Sequence, residues 1–139
     1  MSYLLDTNVV SELARPKPER LVQNWFADVA DEALFLSVLT LGELRKGVES
    51  LPHGVKRERL RHWLEIDLPA WFGGRLLTVD TAVADRWGRL LAGTRRTPAA
   101  IDSLLAATAL QHDLRLVTRN VADFNFAGLE VVNPWKGGA

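Results

Sequence analysis

The feature that most constrains this chain is the punctuation of its hydrophobicity. Five short apolar runs recur along the sequence, and each of the first three is followed by residues with helical spacing. Strands that read as continuous apolar runs, rather than alternating apolar and polar positions, are buried on both faces. They need helices above and below the sheet, and strand–helix alternation supplies them through crossover connections. The expected fold is therefore α/β: a three-layer α/β/α sandwich around a mostly parallel five-stranded sheet. No internal repeat, low-complexity segment or linker interrupts the pattern, so residues 1–139 read as one domain.

In chain order, Tyr3 to Leu5 is the first strand, and a helix from Asn8 to Ala14 is closed by Arg15-Pro16-Lys17-Pro18. Glu19 to Val29 carries Leu21, Val22, Trp25, Phe26 and Val29 on one face of an amphipathic helix. Ala33 to Ser37 reads as the second strand and Val38 to Ser50 as the helix after it. Leu51-Pro52-His53-Gly54 breaks that helix, and Val55 to Phe72 predicts a longer one, ended by Gly73-Gly74. Arg75 to Val79 is the third strand, and Asp80 or Thr81 caps the next helix. Thr97 as N-cap with Pro98 at the first helical position opens a helix to His112. Leu114 to Thr118 is the fourth strand, Asn120 to Gly128 a loop and Leu129 to Val132 the fifth strand. Asn133-Pro134-Trp135 closes the fold, and Gly137-Gly138-Ala139 reads as a frayed end.

Composition narrows the chemistry. A formal net charge of zero provides no global field to attract nucleic acid or a membrane, so any basic surface must be local. The absence of cysteine excludes disulfides, thiolate zinc sites and a cysteine nucleophile. No apolar run approaches the ~20 residues of a membrane span, and no basic segment followed by an apolar stretch opens the chain. The expectation is a soluble, cytoplasmic protein.

Three carboxylates stand where carboxylates rarely stand. Asp6 ends the first buried strand, and Glu43 lies among Leu39, Leu41, Leu44 and Val48. Asp102 shares the stretch from Ala99 to Leu110 with only two other polar residues, Ser103 and Thr108. A helix apolar nearly all round is buried, and a lone buried carboxylate costs several kcal/mol unless paired or metal-bound. Each could make a separate local bond: Asp6 as a cap, Glu43 with Lys46 or Lys56, Asp102 near its helix start. Alternatively all three meet at the carboxyl edge of the sheet, where ligands of open α/β sheets bind. Like charges held that close make sense chiefly around a divalent cation, and oxygen-only ligands point to Mg²⁺ or Mn²⁺. Such a site suits phosphoryl chemistry.

These residues sit in recognisable segments. Leu4-Leu5-Asp6-Thr7-Asn8, Ser37-Val38-Leu39-Thr40-Leu41-Gly42-Glu43-Leu44, and Ile101-Asp102-Ser103-Leu104-Leu105-Ala106-Ala107-Thr108-Ala109 occur in that order. Val117-Thr118-Arg119-Asn120-Val121-Ala122-Asp123-Phe124 and Asn133-Pro134-Trp135 follow. Together they resemble the PIN-domain ribonucleases, specifically the VapC/FitB-like toxins of bacterial toxin–antitoxin pairs. The resemblance implies an endoribonuclease in which Asp6, Glu43 and Asp102 bind the metal. It places a fourth site residue after the fourth strand, at Asn120 or Asp123, with the charged Asp123 favoured and Asn120 holding a water or its neighbour. Thr7, Asn8, Ser37 and Thr118 then support the acids or orient phosphate, or serve simply as caps and turn formers. Water activated by the metal would cut an RNA phosphodiester in line, leaving a 3′-hydroxyl and a 5′-phosphate. The resemblance also implies a VapB/FitA-like antitoxin whose tail crosses the acidic site, and homodimers or larger toxin–antitoxin assemblies.

RNA needs basic surface as well as a metal. Arg95 and Arg96 lead into the helix bearing Asp102 and are the favoured substrate contacts, ahead of Arg15, Lys17, Arg45, Lys46 and Arg119. The run from Lys56 to Arg61 reads as a solvated helix face. Trp25, Phe26, Trp63, Trp71 and Phe72 exceed what a core of this size requires, so some could face a partner. Three rival readings compete. A haloacid-dehalogenase-type phosphatase needs a second acid where the chain has Asn8, and a dinucleotide-binding module needs a Gly-x-Gly-x-x-Gly that follows no strand here. A non-catalytic PIN-like scaffold binding RNA or protein is the third, and it would most naturally have lost one of the acids.

Overall fold

The computed structural model describes residues 1–136. The expectation of a frayed Gly137–Ala139 lies outside them. Five strands, β1 (Tyr3–Leu5), β2 (Leu34–Ser37), β3 (Leu76–Leu77), β4 (Arg115–Val117) and β5 (Val131–Val132), form one sheet in the order β3-β2-β1-β4-β5. Every adjacent pair is parallel. The chain builds outward from β1 through β2 to β3, then returns to β1's other side with β4. The reversal puts the topological switch point between the carboxyl ends of β1 and β4.

Alternation along the central strands splits the core in two. Leu5, Leu34, Leu36 and Val117 point to one face, and they pack with residues of α1 (Thr7–Leu13), α3 (Val38–Glu49) and α5 (Leu68–Phe72). Leu4 and Leu116 point to the other face, against Leu105, Ala106 and Ala109 of α7 (Ala100–Gln111) and Leu90 of α6 (Thr81–Ala92). The small alanines let α7 lie close to the sheet. Trp25 and Phe26 of α2 (Arg20–Ala27) belong to an unbroken aromatic chain from Tyr3 to Phe72, with ring centroids 4.6–5.9 Å apart. These aromatics, with Trp63, pack against the first core cluster. Of the five aromatics singled out in the sequence only Phe72 is buried; Trp25, Phe26, Trp63 and Trp71 stay partly exposed. Arg75 clamps the same edge, donating to the Asp31, Leu34 and Trp71 carbonyls beneath a contact with the Phe72 ring.

The expected helix from Val55 to Phe72 is interrupted. After α4 (Val55–His62), the segment Trp63–Asp67 widens into a π-helical turn before α5. Pro69 offers no N–H to its preceding turn, and the Leu68 N–H bonds Trp63 five residues back. Gly73 ends α5 at φ +53°, a left-handed conformation suited to glycine. Asp80, not Thr81, caps α6 through the Val83 N–H at 2.9 Å. The predicted Thr97 cap is a miss: α7 begins two residues beyond Pro98, with Ala99 at the N-cap and no side-chain cap bond. β3 and β5 are two residues each, and the expected loop after β4 contains a 3₁₀ turn at Val121–Phe124.

Candidate active site

Asp6 follows β1 directly and is the N-cap of α1. Its Oδ1 accepts the Thr7 N–H at 2.7 Å, so the local capping role anticipated for it is real. The other oxygen faces the switch point. Oδ2 accepts the Thr118 hydroxyl at 2.8 Å and the Asn8 side-chain amide at 3.2 Å. Asn8 also donates to Thr118 Oγ1 at 3.3 Å and accepts the Arg119 N–H at 3.2 Å, lacing the end of β1 to the end of β4. Thr118 is fully enclosed, and Asp6 is only 7% exposed. Burial raises the Asp6 carboxyl above its ordinary value, the Thr118, Thr7 and Asn8 bonds hold it down, and the negative Glu43 pushes it up further.

Glu43 reaches the same edge differently from expectation. It lies on an exposed part of α3, not within the apolar face, and forms no ion pair with Lys46 or Lys56. Instead, its Oε1 accepts the Thr7 hydroxyl at 2.5 Å. The fully buried Ser37 caps α3 through the Leu39 N–H, which aims the helix but keeps Ser37 itself away from any substrate. Asp102 stands in the first turn of α7, half-buried, where the helix dipole favours a negative charge. Its first turn is fastened by Ser103, which accepts the Trp87 indole N–H at 2.9 Å and bonds back to the Ala99 and Ala100 carbonyls. The Asp102 carboxyl is also raised, by desolvation and then by the charges of Asp6, Asp123 and Glu43.

Four acids from four separated segments therefore share one electrostatic environment at the carboxyl edge of the sheet. Among the described residues, none of the four forms a salt bridge with a basic side chain. Nor do any three acidic or imidazole side chains converge closely enough to grip an ion as they stand. Of the two contenders after β4, Asp123 adds its charge to the field at Asp102, and Asn120 is neutral. Asn120 contributes its backbone, donating N–H to Thr118 Oγ1 at 3.0 Å. Arg119, missed as an ordered group, lies over the Trp135 ring at 5.2 Å.

Two grooves flank the acids. One, of about 340 Å³, runs between α1, α3 and α4, with Thr7, Glu43, Leu44, Val48, Leu60 and Trp63 in its lining. The other, of about 700 Å³, lies beyond Asp123 between the end of α6, residues 93–98 and residues 122–127.

Known proteins place this geometry. The PIN domain family model matches residues 3–126. The VapC ribonuclease Y4jK of Sinorhizobium fredii is 35% identical over 136 residues, covering 96% of this chain and 97% of that protein. Toxin FitB of Neisseria gonorrhoeae is 39% identical over 135 residues, 95% and 97% of the respective chains. The crystal structure of FitAcB from the same organism superposes with a TM-score of 0.87 at 39% identity, over 96% of this chain and 98% of that one. Fold and sequence agree: the chain belongs to the PIN domain family, and its relatives there include VapC and FitB proteins.

Proposed function

We propose that this chain is a divalent-metal-dependent endoribonuclease acting as the toxin of a toxin–antitoxin pair. The observation that carries the reading is the unneutralised gathering of Asp6, Glu43, Asp102 and Asp123 at the switch point, where two carboxyls are raised by burial and mutual repulsion. The donor set is oxygen only and short of positive charge, which fits Mg²⁺ or Mn²⁺. Among the described residues no three acids converge on one point, so the four would hold an ion only as a loose set of oxygen donors around it.

Asp6, Glu43, Asp102 and Asp123 would hold the ion. Bound there, it supplies a lowered pKa for water and stabilisation of charge on phosphate oxygens. The chain's own groups do the rest. Thr118, Asn8 and the Thr7 N–H fix both oxygens of Asp6, Thr7 Oγ1 fixes Glu43, and the Trp87–Ser103 bond fixes the turn carrying Asp102. Arg95 and Arg96 provide cationic surface beside the acids for the RNA backbone. The names of its relatives support a ribonuclease toxin, and the FitAcB complex supports an antitoxin partner. The apolar groove leading to Glu43 is a suitable seat for it, and a basic side chain from that partner would neutralise the acids. A homodimer carrying two antitoxins, located in the cytoplasm, is the assembly we expect.

The test is cleavage of total cellular RNA by purified chain with Mg²⁺, with Mn²⁺ and with EDTA, followed by mapping of new 5′ ends. The reading requires metal-dependent cuts that Asp102→Asn eliminates while its circular dichroism stays unchanged. RNA binding without cleavage under every ion would mark the chain as a non-catalytic scaffold.

A further inference from the structure

The groove beyond Asp123 does something the acids do not. Its floor and walls come from segments far apart in sequence: Arg89 at the end of α6, Arg95 and Arg96 in the following turn, and Asn125 and Phe126 after the 3₁₀ turn. Arg89 is held by Asp85 at 3.0 Å, whereas Arg95 and Arg96 have no acidic partner among the described residues. The turn presenting them is not slack. Thr94 Oγ1 lies 2.9 Å from both the Leu91 and Arg96 carbonyls, tying the turn to the end of α6. In a chain of zero net charge, this sets two unpaired arginines, beside the paired Arg89, in the lining of one recess that also includes Asp123.

We propose that this groove is a single-strand RNA track, receiving the nucleotides next to the phosphate to be cut. The inference rests on the nuclease reading for the position of that phosphate, but not for the groove's affinity. Three features favour a single strand. The recess, at about 700 Å³, is of the size that encloses a small ligand, roughly a nucleotide or two, and is too small to enclose an A-form helix. Guanidinium groups both bind phosphate in a fork and stack on unpaired bases. The half-buried Phe126 adds an aromatic surface in the same wall, where a splayed base can stack. Duplex RNA offers phosphates but no exposed base faces, so it would use only part of this surface. The other groove differs in kind: Leu44, Val48, Leu51, Leu60 and Trp63 give it a larger apolar share, Arg15 and Arg59 there are engaged with Glu12 and the Ala14 carbonyl, and Lys56 has no acidic partner among the described residues.

The experiment is fluorescence anisotropy with a short fluorescein-labelled single-stranded RNA and the same sequence annealed as a duplex. It uses Asp102→Asn protein in EDTA, so that no strand is cut, over a series of salt concentrations. Replacing Arg95 and Arg96 together by Gln should weaken single-strand binding about tenfold or more and reduce the salt slope by about 0.7 for each phosphate that is no longer neutralised. Phe126→Leu should weaken it several-fold with the slope unchanged, because stacking releases no counterions. Lys56→Gln, beside the other groove, should change neither. Unaltered affinity and slope in the Arg95/Arg96 variant, or duplex bound as tightly as single strand, overturns the proposal. Both arginines are exposed, and a thermal melt identical to the parent verifies that the weaker binding is not unfolding. The two readings separate cleanly. Metal-dependent cleavage with arginine-independent binding removes the track and leaves the nuclease, whereas arginine-dependent binding with no cleavage under any ion does the reverse.

Discussion

Replacing Thr118 by Val tests whether the switch point is built as described. The two side chains are nearly isosteric, so packing in this fully enclosed position changes little and the hydroxyl's bonds are what is removed. Thr118 Oγ1 donates to Asp6 Oδ2 at 2.8 Å and accepts from the Asn120 N–H at 3.0 Å and from Asn8 Nδ2 at 3.3 Å. A hydrogen bond to an ionised group contributes about 1.5–3 kcal/mol. Asn120 is exposed, so water can take over its N–H, and Asn8 keeps its bond to Asp6. The expected loss is therefore about 2 kcal/mol at neutral pH, a fall in Tm of roughly 6–10 °C for a domain of this size. The sign of the pH dependence is fixed too. A carboxyl raised in the folded state adds stability below its unfolded pKa, and that contribution disappears as pH rises through the folded pKa. Thr118→Val raises Asp6 further by removing a bond to its charged form. The deficit should thus be largest near pH 7 and smaller at about pH 4, because the raised Asp6 takes up its proton above the ordinary carboxylate range and no longer presents a charge for the hydroxyl to hold. Urea denaturation at both pH values reads this directly, with Thr118→Ser restoring most of the loss. A deficit under about 0.5 kcal/mol at pH 7, or an equal one at both pH values, refutes the reasoning.

Three other outcomes follow from the same geometry. Asp102→Asn should abolish metal-dependent cleavage and the rise in Tm on adding Mg²⁺, while leaving the metal-free fold as stable or better by at most about 0.5 kcal/mol, since solvent screens the repulsion it removes; calorimetry with and without Mg²⁺ measures both. With Asp6 and Asp102 raised, protons compete with the metal above the ordinary carboxylate range, so the acid limb of a kcat/KM profile should move to lower pH as Mg²⁺ is increased. Arg75→Met should cost about 2–3 kcal/mol in urea denaturation, because three backbone carbonyls lose a charged donor, with RNA cleavage at low temperature unaffected.

Strand–helix alternation made the sheet legible, since Leu4-Leu5 and Leu116-Val117 can only be buried on two faces at once. Asp6 and Asp102 were legible as anomalies against apolar surroundings. Glu43 was found for the wrong reason: its neighbours in sequence are apolar, but α3 turns it outward to Thr7. The break in the long helix was visible only as Pro69, whose missing N–H does not say whether a chain bends, stops or widens. The Thr97-Pro98 signal failed because α7 starts where Ser103 can meet Trp87 of α6, a contact between distant residues. The arginine-lined recess was half legible. Arg95 and Arg96 stand together in the sequence, but Arg89 and Phe126 join them only through folding.

Asp6 serves two masters, and that shapes how such a protein can decay. Its carboxylate starts α1 and anchors the seam between β1 and β4, so losing it would damage the scaffold along with the proposed chemistry. Glu43 and Asp102 carry no comparable structural duty. A lineage losing the proposed activity should therefore shed those two first, and Asp6 should outlast it.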